Sequence, residues 1–119
     1  MKKESYKTIE PETEVNWFAV AGVILGAIVA KAALERAGLN GSELNEVMFG
    51  CVLTSGLGQN VARQVGVKAG LPYSVPAYTV GMVCGSGMKA VIEAARAIAS
   101  KDADLVLAGG CENMSAAPY

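Results

Sequence analysis

The chain has 119 residues, 52% of them hydrophobic and 18% charged, with a net charge of −1 and no histidine. This length and composition predict a single folded domain with a real core, and they exclude a disordered chain. The near-zero charge excludes a basic surface for nucleic acid or for an anionic membrane, so neither is expected as a partner.

The chain begins with a polar segment, residues 1–14, that contains three lysines and four glutamates. This pattern predicts a solvated lead-in. Residues 15–30 carry no charge, but sixteen residues fall short of the roughly 20 that a membrane-spanning helix needs. The acidic excess ahead of them has the wrong sign for a secretion signal. A buried helix, or a strand followed by a helix, is therefore preferred over a membrane or export segment.

The remaining sequence alternates between helical and strand-like patterns. Residues 25–37 predict a helix with Leu25, Ile28 and Val29 on one face, ended by Gly38. Further helices are predicted from Asn60 to about residue 69 and over residues 85–99, and the last of these is expected to be buried on much of its circumference. Strands are predicted at residues 46–53, 75–83 and 105–108. Uniformly apolar strands between helices predict an α/β fold, a mostly parallel sheet with helices on both faces.

One cysteine lies where chemistry is expected. Cys84 falls between a predicted strand and a predicted helix, and Gly85 and Gly87 follow it. A thiol at a helix N-terminus meets unpaired N–H groups and the positive end of the helix dipole, and both favour the nucleophilic thiolate. The glycines leave room for a substrate carbonyl beside the sulfur. Cys84 is therefore a candidate nucleophile for acyl transfer, and the alternative is a small apolar side chain that only packs.

The other two cysteines are expected to serve packing. Cys51 lies inside an apolar strand, and Cys111 follows the last one. No two of the three cysteines have the spacing of a metal site, and an odd number argues against a disulfide framework. We therefore expect no metal site and a reducing, cytoplasmic location.

Four segments of the sequence resemble the thiolases, the acetyl-CoA C-acetyltransferases and their degradative relatives. The most specific of them are Val-Cys-Gly-Ser-Gly-Met-Lys-Ala at residues 83–90 and Ala-Gly-Gly-Cys-Glu-Asn-Met-Ser at residues 108–115. The other two lie at residues 25–38 and 56–64. The resemblance implies the N-terminal half of a thiolase-like fold, carried by a partial domain at residues 23–119. Residues 1–22 form a lead-in that does not match the family, so the sheet is expected to lack the family's first strand or to have residues 15–20 in its place.

The resemblance also implies a reaction. Cys84 would accept an acyl group from an acyl-CoA as a thioester and pass it to the enolate of a second acetyl-CoA, or cleave a 3-ketoacyl-CoA in reverse. The Cys84 backbone N–H would contribute to an oxyanion hole. Coenzyme A thioesters would be substrates, and no separate cofactor is implied. Contacts through residues 59–64 and the strand before Cys84 would make the protein a homodimer.

In the thiolases, the histidine base and the second cysteine come from the C-terminal half of the protein. The four matching segments all resemble the N-terminal part. The chain is thus expected to be an incomplete fragment with little turnover of its own. Two alternatives remain open at this stage. One is a non-catalytic dimerisation module or truncated pseudoenzyme, and the other is a different condensing enzyme such as a ketoacyl synthase.

Overall fold

The computed structural model describes residues 17–118, and its side chains from residue 20 onward. The lead-in predicted for residues 1–14 lies outside this range. In chain order, the elements are α1 (Trp17–Ala37), β1 (Glu46–Gly50), α2 (Val61–Lys68), β2 (Ala77–Val80), α3 (Ser86–Ala99) and β3 (Val106–Gly110). One-turn 3₁₀ helices lie at Gly41–Glu43 and Met114–Ala116.

The three strands form a parallel sheet in the order β2-β1-β3. Val47 of the central strand pairs with Ala77 on one side and Leu107 on the other. Successive side chains of a strand point to opposite faces, and both faces of β1 are buried. Val47 and Phe49 lie in a core with residues of α1 and α2, whereas Met48 packs against α3. The α/β architecture with a helix-covered parallel sheet is therefore confirmed.

Helix α1 corrects the prediction for the start of the domain. It runs without a break from Trp17, so the idea that residues 15–20 form a replacement strand is wrong for the residues described. Its inward face is built from small and medium side chains at helical spacing: Val23, Ala27, Ala30 and Leu34. Leu25, Ile28 and Val29 do share a face, as predicted, but that face is exposed. Within residues 17–118, no helix combines the length and apolar character needed to cross a bilayer.

Helix α3 is also less covered than predicted. Ala90 and Ala94 face the sheet, while Met88 and Val91 are exposed, with 67% of the Met88 surface accessible. Small side chains let the helix approach the strands closely, and this leaves the larger apolar residues on its outer side. The prediction that α3 is buried on much of its circumference is therefore wrong, since only Ser86, Ala90 and Ala94 of this helix are buried.

The predicted strands are longer than the observed ones. Of the extended stretch predicted for residues 75–83, only Ala77–Val80 forms a strand, because residues 81–85 form a turn. The strand predicted for residues 46–53 ends at Gly50. Helix α2 begins as predicted, since the Asn60 side chain accepts a hydrogen bond from the Arg63 N–H at 3.2 Å.

Candidate active site

Cys84 lies in the turn that joins β2 to α3. The strand ends at Val80, the helix begins at Ser86, and the Cys84 side chain is exposed. The first N–H groups of a helix have no partners within the helix, so this end of α3 presents donors and a positive dipole. The predicted location of Cys84, between a strand and a helix N-terminus, is confirmed.

The turn is strained and tightly bonded. Val83, directly before the cysteine, has a φ of +46°, a left-handed conformation that β-branched residues rarely adopt. The hydroxyl of Ser86 donates to the Val83 carbonyl at 2.7 Å and accepts from the Met82 N–H at 2.8 Å. Ser86 is only 3% exposed. A buried hydroxyl with both partners in place holds the backbone that aims Cys84 outward.

The end of the sheet touches the start of α3 directly. Gly50 ends β1, and a Cβ added there would overlap the backbone of Ser86 and Gly87. At the end of β3, a Cβ on Gly110 would come within 3.2 Å of the Gly87 Cα. Only glycine permits this approach, which places the turn of Cys84 at the carboxyl end of the parallel strands. Ligands of open α/β sheets bind at this edge.

A pocket of about 500 Å³ opens at this edge. Its walls come from the turn and first residues of α3, including Cys84 and Gly87, and from the ends of β1 and β3. Cys111 and Glu112 also line it. Cys84, the predicted nucleophile, thus lines the same pocket as two residues that follow β3.

Glu112 connects the ends of β1 and β3. Its carboxylate accepts hydrogen bonds from the N–H of Val52 at 2.7 Å and of Leu53 at 3.1 Å. The Cys51 thiol lies 3.7 Å from the same carboxylate. Glu112 therefore places a negative charge, held by two backbone N–H groups, in the wall of the pocket. Sequence reasoning assigned no role to Glu112 or to Ser86.

Comparison with known proteins identifies the family. Residues 18–119 match the thiolase N-terminal domain. The chain belongs to the thiolase family. It is 62% identical over 95 residues to the acetyl-CoA acetyltransferase of Cupriavidus necator, covering 80% of this chain and 24% of that protein.

Two other relatives show similar coverage. The cytosolic acetyl-CoA acetyltransferase of Rattus norvegicus is 56% identical over 95 residues, covering 80% of this chain and 24% of the relative. The probable acetyl-CoA acetyltransferase of Escherichia coli is 53% identical over 104 residues, covering 85% of this chain and 26% of the relative. The chain thus spans about a quarter of the length of the curated relatives that it matches.

The other two thiols of the chain lie directly after neighbouring strands of this thiolase domain. Gly50 and Gly110 are paired in the sheet, and the Cys111 N–H donates to the Gly50 carbonyl at 3.1 Å. Cys51 and Cys111, the residues directly after this pair, are therefore also neighbours, each just beyond the end of its strand. Cys51 is 3% exposed and lies in the core, as predicted, and Cys111 packs against the same core.

Both of these thiols are kept protonated. Burial, reinforced by the charge of Glu112, raises the pKa of Cys51 to about 12 from its ordinary 9.0. Burial and then Glu112 also raise the pKa of Cys111. Because the thiolate is the reactive form, neither residue is a strong nucleophile at neutral pH.

The raised pKa of Cys51 predicts a loss of stability at alkaline pH. The unfolded chain would ionise this thiol above about pH 9, and the folded chain only near pH 12. The stabilising contribution is therefore complete below pH 9 and disappears as the pH rises from 9 to 12. Urea unfolding at about pH 8 and 10.5 should show a smaller pH-dependent loss for Cys51→Ala than for the wild type. Equal losses in the two chains would contradict the assignment.

Proposed function

We propose that Cys84 is the acyl-accepting nucleophile of a thiolase that acts on acyl-CoA thioesters. The observation that carries this proposal is the position of Cys84, exposed beside the pocket on a turn held by the Ser86 hydroxyl. A bonded, strained turn positions a nucleophile with little loss of entropy at the moment of reaction. The names of the relatives support acetyl-CoA as the donor.

In the first half-reaction, the Cys84 sulfur attacks the carbonyl carbon of the acyl-CoA thioester. A new S–C bond forms, and the carbonyl oxygen becomes an oxyanion that the Cys84 backbone N–H stabilises, with the dipole of α3 adding to its effect. The intermediate collapses with cleavage of the bond to the coenzyme A sulfur. Coenzyme A leaves as a thiol with the proton that Cys84 gave up, and Cys84 holds the acyl group as a thioester.

In the second half-reaction, the enolate of acetyl-CoA attacks the acyl-Cys84 carbonyl and releases the cysteine, giving a 3-ketoacyl-CoA. Thiolysis is the reverse. Forming the enolate requires a base; the resemblance assigns activation of the nucleophile and of the carbon acid to a histidine and a second cysteine of the family's C-terminal half, and the 119 residues contain no histidine. A positioned base or oxyanion donor is typically worth 10²–10⁴-fold. The 119-residue polypeptide alone is therefore proposed to perform the first half-reaction and to give little or no thiolysis.

The experiment is to incubate the purified chain with acetyl-CoA, measure its intact mass, and map the modified peptide. A single acetyl group on the peptide containing Cys84, with release of one coenzyme A, supports the proposal. A folded chain with no adduct would refute it. Thiolysis of acetoacetyl-CoA at the rate of a full-length thiolase would refute the proposed division between half-reactions.

We also propose that the domain self-associates as a homodimer. The observation that favours this is its uncovered apolar surface: Val91 and Ile92 on α3 are exposed, and β2 pairs with β1 on one side and with no other described strand. Burying such surface stabilises association. Sedimentation equilibrium should give twice the chain mass, and Val91→Asp should shift the balance toward monomer. A monomer at tens of micromolar would contradict a homodimer.

A further inference from the structure

We infer that Glu112 is a positioning residue that confines acylation in this pocket to Cys84, by clamping the end of β1 and setting a negative charge against the two neighbouring thiols. The inference rests on the proposed function, in which Cys84 receives the acyl group. It concerns selection among three cysteines of one chain, two of which, Cys84 and Cys111, line the same pocket.

Glu112 clamps the end of β1 through both oxygens of its carboxylate. One carboxylate oxygen of Glu112 accepts from the Val52 N–H, and the other accepts from the Leu53 N–H. Hydrogen bonds from consecutive backbone N–H groups to a carboxylate are charge-assisted and hold it in one orientation. The carboxylate is thereby fixed beside β1, where it faces the Cys51 thiol.

The pocket requires selection between two thiols, those of Cys84 and Cys111. Cys111 is half-buried and lines the pocket that would receive the thioester, so its thiolate would compete with Cys84 for the acyl group. A thioester on Cys111 would leave the acyl group away from the helix N-terminus that favours its transfer. Suppressing the thiolate form of Cys111 prevents this side reaction without removing the side chain from the core.

The helices packed against Cys111 present apolar groups to its sulfur. A Cβ on Gly26 of α1 would lie 3.2 Å from the Cys111 sulfur and 2.9 Å from the Val65 side chain of α2, so both helices present uncharged groups there. Among the described residues, Glu112 raises the pKa of both cysteines, and Cys111 also acts on Cys51. The direction of the pKa shift at Cys111, upward from burial and from Glu112, agrees with the geometry.

The test is peptide-resolved labelling of the full 119-residue chain with iodoacetamide, in which the thiolate forms an S–C bond and iodide leaves. In the wild type, Cys84 should react first and Cys111 slowly at neutral pH. In Glu112→Gln, labelling of Cys111 should rise severalfold at neutral pH, and its pH profile should move to lower pH, because removing the carboxylate charge leaves burial as the remaining cause that raises its pKa. Cys51 should stay protected. Glu35→Gln, an exposed carboxylate of α1, is the matched control.

Several outcomes would overturn the inference. Labelling of Cys111 in Glu112→Gln at the wild-type rate would do so. So would a parallel rise at Cys51 and Cys111 with an unchanged pH profile, because that pattern reports loosening of the fold and not removal of a charge.

A second variant covers the case in which Glu112→Gln does not fold. In Cys84→Ala with Glu112 intact, Cys111 should be labelled only at alkaline pH, and labelling at the rate of an unfolded chain at neutral pH would contradict the inference. Acetyl-CoA gives a separate readout. If acetyl-CoA fails to modify Cys84 while the iodoacetamide pattern holds, the proposed function fails, and what stands is that Glu112 suppresses the thiolate form of Cys111.

Discussion

A Cys84→Ala chain is expected to take up acetyl groups from acetyl-CoA at least about 10³-fold more slowly than the wild type, a loss typical of removing a nucleophile. The other two cysteines cannot replace Cys84, because burial and the charge of Glu112 keep their thiols protonated. Cys84→Ser should fail nearly as completely, since a hydroxyl without an adjacent base is a weak nucleophile at neutral pH.

The measurement is the time course of the intact mass with excess acetyl-CoA, alongside release of coenzyme A. Glu35→Gln, which changes an exposed residue of α1, should keep the wild-type rate. Circular dichroism should show that Cys84→Ala remains folded, because its side chain is exposed. Undiminished acetylation of a folded Cys84→Ala chain would place the nucleophile elsewhere.

The alternation of elements could be predicted because apolar periodicity and glycine positions are local signals. The Asn60 cap and the strand–turn–helix context of Cys84 are both readable within a few residues. The ends of the strands were less predictable. Residues 81–83 are compatible with a strand, and the turn forms because Ser86 binds the backbone on both sides of a left-handed Val83.

The outward faces of α1 and α3 could not be predicted for a different reason. Both helices have two apolar faces, and periodicity does not say which face meets the sheet. In α1, two glycines decide which face packs inward. A Cβ on Gly22 would come within 3.2 Å of Asn113, and one on Gly26 would crowd Val65. Close approach selects the face with small residues, so Leu25 and Ile28 remain outside.

The residues of the site also differ in whether the sequence alone could predict them. Cys84 could be predicted because its chemistry depends on its immediate neighbours. Glu112 could not, because its partner Val52 lies 60 residues earlier and only the pairing of β1 with β3 brings the two together. The raised pKa of Cys51 and Cys111 follows from that same pairing.

Gly50→Ala is expected to have the largest effect on stability, on the order of 3 kcal/mol, the upper end of overpacking costs. A Cβ at this position meets backbone atoms of Ser86 and Gly87, which cannot swing aside as a side chain can. Helix α3 must therefore move away from the sheet, and the Cys84 turn moves with it. A fall in Tm of 10 °C or so is expected for a domain of this size, together with loss of acetylation.

Gly81→Ala is the matched control, since a Cβ there has no atom within 4 Å and Gly81 is not among the residues with a positive φ. Its stability should stay within about 0.5 kcal/mol of the wild type. Thermal unfolding of the two variants distinguishes the cost of a clash between β1 and α3 from the general cost of replacing a glycine near the site. Similar Tm values for Gly50→Ala and the wild type would mean that α3 does not rest on the end of β1. The geometry that presents Cys84 would then have to come from the turn alone.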